Sequence, residues 1–169
     1  MGEPAYPIHP HPIHDLFEDV SLGAPENAVG FVLWRVVVRY QREVDRALVP
    51  LDLTNLQFVT LTLAAWFGRF GGSVTQRELA SFGGIHPMQI SQMLKTLERK
   101  GFVLRQRSPS DSRAKRVEVT QAGTNVLRKA LPRVIEVQQR LFGDGGKPGG
   151  DFLRALLHLD SNQMESESR

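Results

Sequence analysis

The chain has 169 residues, of which 41% are hydrophobic, and its formal net charge is +3. This length and composition are typical of one globular domain with a real core. The absence of cysteine excludes disulfides, thiolate metal sites and a cysteine redox switch. No apolar run approaches the roughly 18 residues of a membrane span, and no secretory signal pattern opens the chain, so we expect a cytoplasmic protein without a membrane partner.

Residues 1–25 are rich in proline and histidine, which predicts an extended arm because each proline removes a backbone donor and restrains its neighbour. His9, His11 and His14 raise the alternative of a metal site. Since no carboxylate or cysteine stands at ligand spacing, we favour a polar arm that is weakly ordered or lies across a partner subunit. No cofactor or metal is expected.

Two strongly apolar helices follow the arm. The first is predicted over residues 27–48, begun by Asn27 and ended by Pro50. Its apolar residues cover more than one side, so we expect it to be buried on several sides, with a second subunit as one cover. The second helix is predicted to begin with a capping box of Thr54 and Gln57 and to run to about Phe67.

A helix-turn-helix is predicted next. Thr75 and Glu78 form a second capping box, and Phe82-Gly83-Gly84 breaks the first helix. The second helix begins at His86-Pro87, with His86 as N-cap, and ends before Gly101. Its inward face is apolar, whereas its outward face carries amides, a hydroxyl and cations: Gln89, Ser91, Gln92, Lys95 and Arg99. Such side chains can bond base edges and phosphates.

A basic hairpin follows the second helix. Residues 102–107 and 116–120 read as two short strands, joined by a turn-rich loop. Between Lys95 and Arg116 the sequence has eight cations and two acids, a net charge of +6, which is twice that of the whole chain. The rest of the chain is therefore net acidic. Positive charge concentrated on a helix-turn-helix indicates a nucleic-acid binder.

The C-terminal part returns to helix. Thr120 is predicted to cap a helix over residues 121–141, with Pro132 kinking or distorting it. Gly143 to Gly150 reads as a flexible linker, Asp151 as the cap of a short apolar helix, and residues 161–169 as a disordered tail. No catalytic triad, phosphate-binding glycine loop or paired metal ligands are present, so we do not expect an enzyme.

Three motifs, in order and at matching spacing, resemble the MarR family of bacterial transcription regulators. They are residues 53–58, residues 74–80 with 90–103, and the hairpin 107–123 with Asp111 and Arg113. The resemblance implies a mainly α fold with a small β wing, a winged helix-turn-helix in an intertwined homodimer built from N- and C-terminal helices. Residues 26–160 would be a single MarR-like domain, with dimerisation helices in 26–50 and 121–160 and the DNA-binding part in 53–120.

The resemblance also implies roles for individual residues. Residues 87–95 would be a recognition helix in the major groove of double-stranded DNA, Arg113 would enter the minor groove from the wing, and Asp111 would orient the wing. Gln92 stands where the family more often has arginine. The expected DNA-binding residues are Thr75, Gln76, Pro87, Met88, Gln89, Ser91, Gln92, Lys95, Arg107, Arg113 and Lys115.

A small-molecule effector is the last implication of the resemblance. Ligands of the family are often phenolic or aromatic-acid compounds, held between the dimer helices and the winged part. Candidates by type and position are Trp34, Arg35, Arg39, Phe58 and Trp66. We therefore expect a dimeric repressor of neighbouring genes that reads a pseudo-palindromic operator and is released by such a ligand. The alternatives are a winged-helix DNA binder or a protein-interaction module without a ligand switch.

Overall fold

The computed structural model describes residues 21–72, 74–107 and 115–166, of which 107, 115 and 162–166 are described by their backbone alone. The described chain separates into two compact units, one ending at Arg39 and the other beginning at Tyr40. Most of the predicted N-terminal arm, with its three histidines, lies outside the described residues, as do Asp111, Arg113 and residues 167–169.

The N-terminal unit contains a 3-10 turn, Pro25–Asn27, and the first part of helix α1, which runs Val29–Leu48. The prediction that Asn27 begins the helix is wrong by two residues. The Asn27 side chain donates to the carbonyl of Leu22 at 2.8 Å, and Ala28 is extended, so the helical geometry starts only at Val29. In this part of α1, several large apolar side chains are exposed: Val29, Phe31, Val32, Leu33, Trp34 and Val37.

Helix α2 (Asn55–Gly68) is central to the second unit. It contacts both helices of the helix-turn-helix, the sheet and the long C-terminal helix. Leu61 of α2 is fully buried, together with Val44 and Leu48 from the end of α1. The predicted capping box is confirmed, because Thr54 Oγ1 accepts from the Gln57 amide while Gln57 Oε1 accepts from the Thr54 amide.

The sheet has three antiparallel strands in the order β1-β3-β2. They are β1 (Val74–Thr75), β2 (Val103–Arg107) and β3 (Lys115–Val119). Only the last two were predicted: β2 begins one residue later than predicted, and β3 is displaced by one residue toward the N-terminus. The short β1 was missed; it pairs Val74 with Val117 and Thr75 with Arg116. This pairing fixes the start of the helix-turn-helix against the hairpin.

The helix-turn-helix consists of α3 (Gln76–Gly83) and α4 (Pro87–Arg99). The capping box of Thr75 and Glu78 is confirmed, and so is His86 as N-cap of α4, since its Nδ1 accepts from the Met88 amide at 3.2 Å. Gly84, in the turn, has a positive φ of 58°. Glycine adopts this left-handed conformation at little cost, which explains its place in the turn.

Two helices close the second unit, α5 (Gln121–Phe142) and α6 (Asp151–Ser166). Thr120 caps α5 as predicted, its hydroxyl accepting from the Gly123 amide at 3.0 Å, and α5 continues through Pro132. Asp151 is the first residue of α6 rather than its cap. The helix extends to Ser166 instead of ending at residue 160, because good helix formers such as Gln163, Met164 and Glu165 extend an existing helix without a new nucleus.

The glycine-rich segment between these helices is folded, not merely a linker. It contains a 3-10 turn, Gly143–Gly146, and the Gly150 amide donates to the Lys147 carbonyl at 2.8 Å. A Cβ placed on Gly150 would lie 2.4 Å from the carbonyl oxygen of Gly145. Beside the turn, Phe142 stacks on Phe152 with ring centroids 5.3 Å apart. Farther along, α6 leaves Leu156, Leu157 and Leu159 exposed.

Among the described residues, no single helix is both long and apolar enough to cross a bilayer. Residues 29–51 and 55–68 reach the necessary length and apolar composition only together, and the two helices meet at a bend of 77°.

Candidate nucleic-acid interface

Helix α4 divides cleanly into a core face and an outer face. Ile90, Leu94 and Leu97 are completely buried and hold α4 on the unit. The predicted outward residues are exposed except Ser91, which is half-buried; the exposed ones are Pro87, Met88, Gln89, Gln92, Lys95 and Arg99. This face offers amide and cationic groups with no carboxylate among them, a combination suited to base edges and phosphates.

The first helix of the pair supports the start of α4. Gln76 Nε2 donates to the Pro87 carbonyl at 3.4 Å, so this predicted contact residue also joins α3 to α4. Thr75 and Gln76 are both half-buried. Hydrogen bonds from the Thr75 backbone and hydroxyl lower the pKa of Glu78 below its ordinary 4.5, with a smaller contribution from the charge of Arg116. Glu78 is therefore a carboxylate at neutral pH, fixed at the positive end of α3.

The hairpin brings two further predicted residues together at the base of the wing. Arg107 and Lys115 are the last pair of the β2–β3 register. Both immediately flank residues 108–114, and these, including Asp111 and Arg113, lie outside the described residues. The described backbone thus places two cationic residues side by side where the hairpin leaves the sheet.

Two cations of the basic segment are used inside the protein, which the sequence did not reveal. The Arg105 side chain is 12% exposed and Lys100 is 17% exposed. Arg105 donates to Glu98, the only carboxylate of α4, through Nε at 2.9 Å and NH2 at 2.5 Å. A lone acid in a cation-rich stretch is the signal that could have identified this pair. The exposed positive charge is accordingly smaller than the sequence count indicates.

The ligand candidates are distributed over both units. Trp34, Arg35 and Arg39 are exposed residues of the N-terminal unit, where Trp34 stacks near Phe31 with centroids 6.1 Å apart. Arg35 lies 5.8 Å from the Phe31 ring centroid and 3.9 Å from Glu26.

In the second unit, Phe58 is 7% exposed and belongs to the core, so its side chain is already enclosed by protein. Trp66 is exposed, and the Arg69 guanidinium lies 3.6 Å from its ring centroid. Within the described part of the chain, no group of three or more histidine, aspartate or glutamate side chains could hold a metal ion.

Comparison with known proteins agrees with this architecture. Residues 53–115 match the MarR family. An HTH-type transcriptional regulator of Bacillus subtilis, YdcH, is 38% identical over 139 residues, which cover 82% of this chain and 94% of that protein.

Solved structures give the same result. CouR from Rhodococcus jostii RHA1, bound to p-coumaroyl-CoA, is 30% identical with a TM-score of 0.67, over 85% of this chain and 93% of that one. MosR from Mycobacterium tuberculosis, in complex with DNA, is 28% identical with a TM-score of 0.66, over 82% of this chain and 97% of that one. The winged helix-turn-helix fold is therefore shared.

Proposed function

The chain belongs to the MarR family of transcription regulators, and from this premise we propose that it is a dimeric, DNA-binding repressor released by a small aromatic ligand. The family and the relative from Bacillus subtilis are regulators, not enzymes. The observation that carries the proposal is the outer face of α4, which is exposed, rich in amides and cations, and held by a buried face of three apolar side chains.

We propose that α4 is the recognition helix. Gln89, Gln92 and Lys95 would reach base edges or phosphates in the major groove, because amides pair with adenine and cations with guanine or phosphate. The other proposed contacts of the helix-turn-helix surround them: Thr75, Gln76, Pro87, Met88 and Ser91. That MosR was solved with DNA supports this role for the shared fold.

The wing would bind beside the recognition helix. We propose that Arg107 and Lys115 contact phosphates, since the register pairs them at the base of the loop. Arg113 would insert into an A·T-rich minor groove, where the negative potential is enhanced. Asp111 would hold the loop in shape without touching DNA.

A dimer would cover the apolar surfaces that one chain leaves exposed. The first part of α1 exposes six large apolar residues, and α6 exposes a leucine-rich surface. Large exposed apolar patches are characteristic of interaction sites. Two recognition helices related by a two-fold axis would read half-sites about one helical turn, roughly 34–36 Å, apart.

Release by a ligand is supported by chemistry and by one related structure. Trp34, Arg35 and Arg39 are exposed on one helix; Arg35 and Arg39, four residues apart, share a face with Phe31, whose ring centroid lies 5.8 Å from the Arg35 guanidinium. An aromatic ring on the same face as two guanidinium groups suits an aromatic acid or its thioester. CouR, with p-coumaroyl-CoA bound, shows that a relative of this fold can hold such a molecule.

The test is a mobility-shift titration on the DNA upstream of the chain's own gene, with a scrambled duplex as control. We expect binding that weakens steeply between about 50 and 200 mM salt, because cationic side chains that bind phosphates release counterions from the DNA. Sedimentation of the free protein should give a dimer. A chain that ignores both duplexes at low salt would be a protein-interaction module instead.

The ligand part has its own test. Adding p-coumarate or its coenzyme A thioester to the preformed complex should release the DNA. Binding that is unchanged by a panel of aromatic acids and thioesters would leave a DNA regulator without this switch.

A further inference from the structure

Lys100 lies where the recognition helix ends, and its ammonium group faces three oxygen atoms. Lys100 Nζ is 3.0 Å from Asp52 Oδ2 and donates to Gln57 Oε1 at 3.1 Å and to the carbonyl oxygen of Asp52. We infer that Lys100 is a positioning residue, which ties the end of α4 to the turn that closes α1. This inference rests on the proposed function, because it concerns how the DNA-reading helix is held.

Two hydrogen bonds and one ion pair engage this ammonium group. A lysine ammonium has three protons and no acceptor; here it donates to Gln57 Oε1 and to the Asp52 carbonyl, and the Asp52 carboxylate lies 3.0 Å away. The side chain is 17% exposed, whereas the neighbouring Arg99 points to solvent. Lys100 is therefore engaged by groups of the protein itself, although the sequence counts it among the cations of the basic segment.

The partner of Lys100 has an unusual backbone. Asp52 has φ 52° and ψ 43°, and it is the one non-glycine residue with positive φ in the described part of the chain. This left-handed conformation costs free energy for a residue with a Cβ and persists where surrounding contacts hold it. The Asp52 carbonyl and carboxylate both face Lys100, so the same ammonium group stabilises the conformation that ends the 3-10 turn Val49–Leu51.

Gln57 connects the same ammonium to α2. Its Oε1 accepts from the Thr54 amide at 3.4 Å as well as from Lys100, so the capping box of α2 and the end of α4 share one oxygen atom. Asp45, near the end of α1, accepts from the Asn55 amide at 2.6 Å. The end of α1, the start of α2 and the end of α4 are thereby linked by side-chain bonds.

A second bond holds the next residue of the chain from the other side. Thr120 Oγ1 donates to the Gly101 carbonyl at 2.6 Å while it caps α5. The C-terminal end of α4 is thus held between Asp52, which ends the 3-10 turn after α1, and Thr120, the N-cap of α5. In a dimer built on these helices, Lys100 would set the angle of α4 and hence the distance between the two recognition helices.

The experiment compares Lys100→Met with Arg99→Met, a matched change at the adjacent cation of the outer face, which should keep the parent spacing preference whatever its affinity. The probe is a duplex selected by the parent protein from a random library, together with versions that have one base pair inserted or deleted at its centre. For Lys100→Met we expect binding roughly three- to thirtyfold weaker, an unchanged dependence on salt, and a loss of the preference for the parent spacing. Lys100→Arg should restore part of the preference.

Spacing preference separates positioning from general destabilisation, which would lower binding on all three duplexes equally. A Lys100→Met protein that keeps the parent spacing preference overturns the inference. The inference is also overturned if the slope of log affinity against log salt concentration falls by about one, because that would indicate a lost phosphate contact. Lys100→Gln, which is neutral and shorter, gives a second route if Lys100→Met does not fold. Retained spacing preference in that variant with the parent affinity also overturns the inference. A parent protein that selects no duplex overturns the proposed function itself.

Discussion

Arg105 and Glu98 form an ion pair that joins α4 to strand β2 of the wing. Arg105 Nε donates to Glu98 Oε2 at 2.9 Å across the junction of α4 and β2. Because the Arg105 side chain is 12% exposed, removal of its partner would leave a poorly solvated cation. The pair therefore contributes to the fold of the interface rather than to its positive surface.

A double-mutant cycle on this pair tests that role. We expect Glu98→Gln and Arg105→Met each to lower the free energy of unfolding, with a coupling energy of about 1 kcal/mol or somewhat more. Arg105→Met should leave the salt dependence of DNA binding unchanged. The measurement is urea unfolding of the two single variants and the double variant, with Arg99→Met as an exposed control that stays within about 0.5 kcal/mol of the parent. Additive effects would show that the pair contributes little.

The two capping boxes predict different responses to pH. Because hydrogen bonds from Thr75 depress the folded-state pKa of Glu78, its contribution to stability is present above the ordinary value of 4.5 and is lost as the pH falls through the folded-state value. Gln57 in the box of α2 does not titrate. At pH 7, Thr75→Ala and Thr54→Ala should each cost about 1 kcal/mol.

Acidification should then separate the two variants. The cost of Thr75→Ala should decrease as the pH falls from 5 towards 3, whereas the cost of Thr54→Ala should stay constant. Urea unfolding across this pH range provides the measurement. Parallel curves for both variants would mean that the hydrogen bonds of the Thr75 hydroxyl do not depend on the charge of Glu78.

Gly123 is predicted to tolerate no side chain. A Cβ there would lie 2.2 Å from the Phe102 carbonyl oxygen and 2.8 Å from Val119 Cγ1. Since the oxygen belongs to the backbone that leaves α4, the first turn of α5 would have to move. We expect Gly123→Ala to destabilise the protein by roughly 1–3 kcal/mol.

The matched control for this change is Gly68→Ala. Gly68 is also helical, and its added Cβ meets no atom within 4 Å. Alanine there should be neutral or slightly stabilising, by less than about 1 kcal/mol. Thermal unfolding of both variants suffices, and equal midpoints would contradict the close approach at Gly123.

Base reading and charge should be separable at the interface. Gln92→Ala should relax preference at one base pair by about 1–3 kcal/mol and leave the salt dependence unchanged, because an exposed neutral amide on α4 releases no ions. Arg113→Ala, in the loop outside the described residues, should weaken binding on all sequences and lower the salt slope by about one. Binding to a set of single-base variants at two salt concentrations tests both, with Gln139→Ala on α5 as an exposed glutamine control.

Local features of this fold were predictable from sequence because their partners are near in the chain. Thr75 and Glu78 are three residues apart, and His86 caps the helix that starts at the next residue. Strand β1 was missed because two residues carry no recognisable alternation, and its partner Val117 is 43 positions beyond Val74.

The internal cations were missed for a related reason. Whether a lysine is exposed depends on where the fold places its acceptors, and the acceptors of Lys100 are more than forty residues away in sequence. The composition of α4 correctly indicated which face is polar, since helical spacing alone separates Ile90, Leu94 and Leu97 from the rest. Helical spacing also places Arg35 and Arg39, four residues apart, on one face of α1.

The folded glycine turn between α5 and α6 fixes where α6 begins relative to the end of α5. With Gly150 pressed against the backbone of Gly145, an inserted residue or an added side chain would redirect α6. In a dimer that uses α6, this change would alter the span between the two bound grooves. A change in the length of this turn would then have to be matched during evolution by a change in the half-site spacing of the operator.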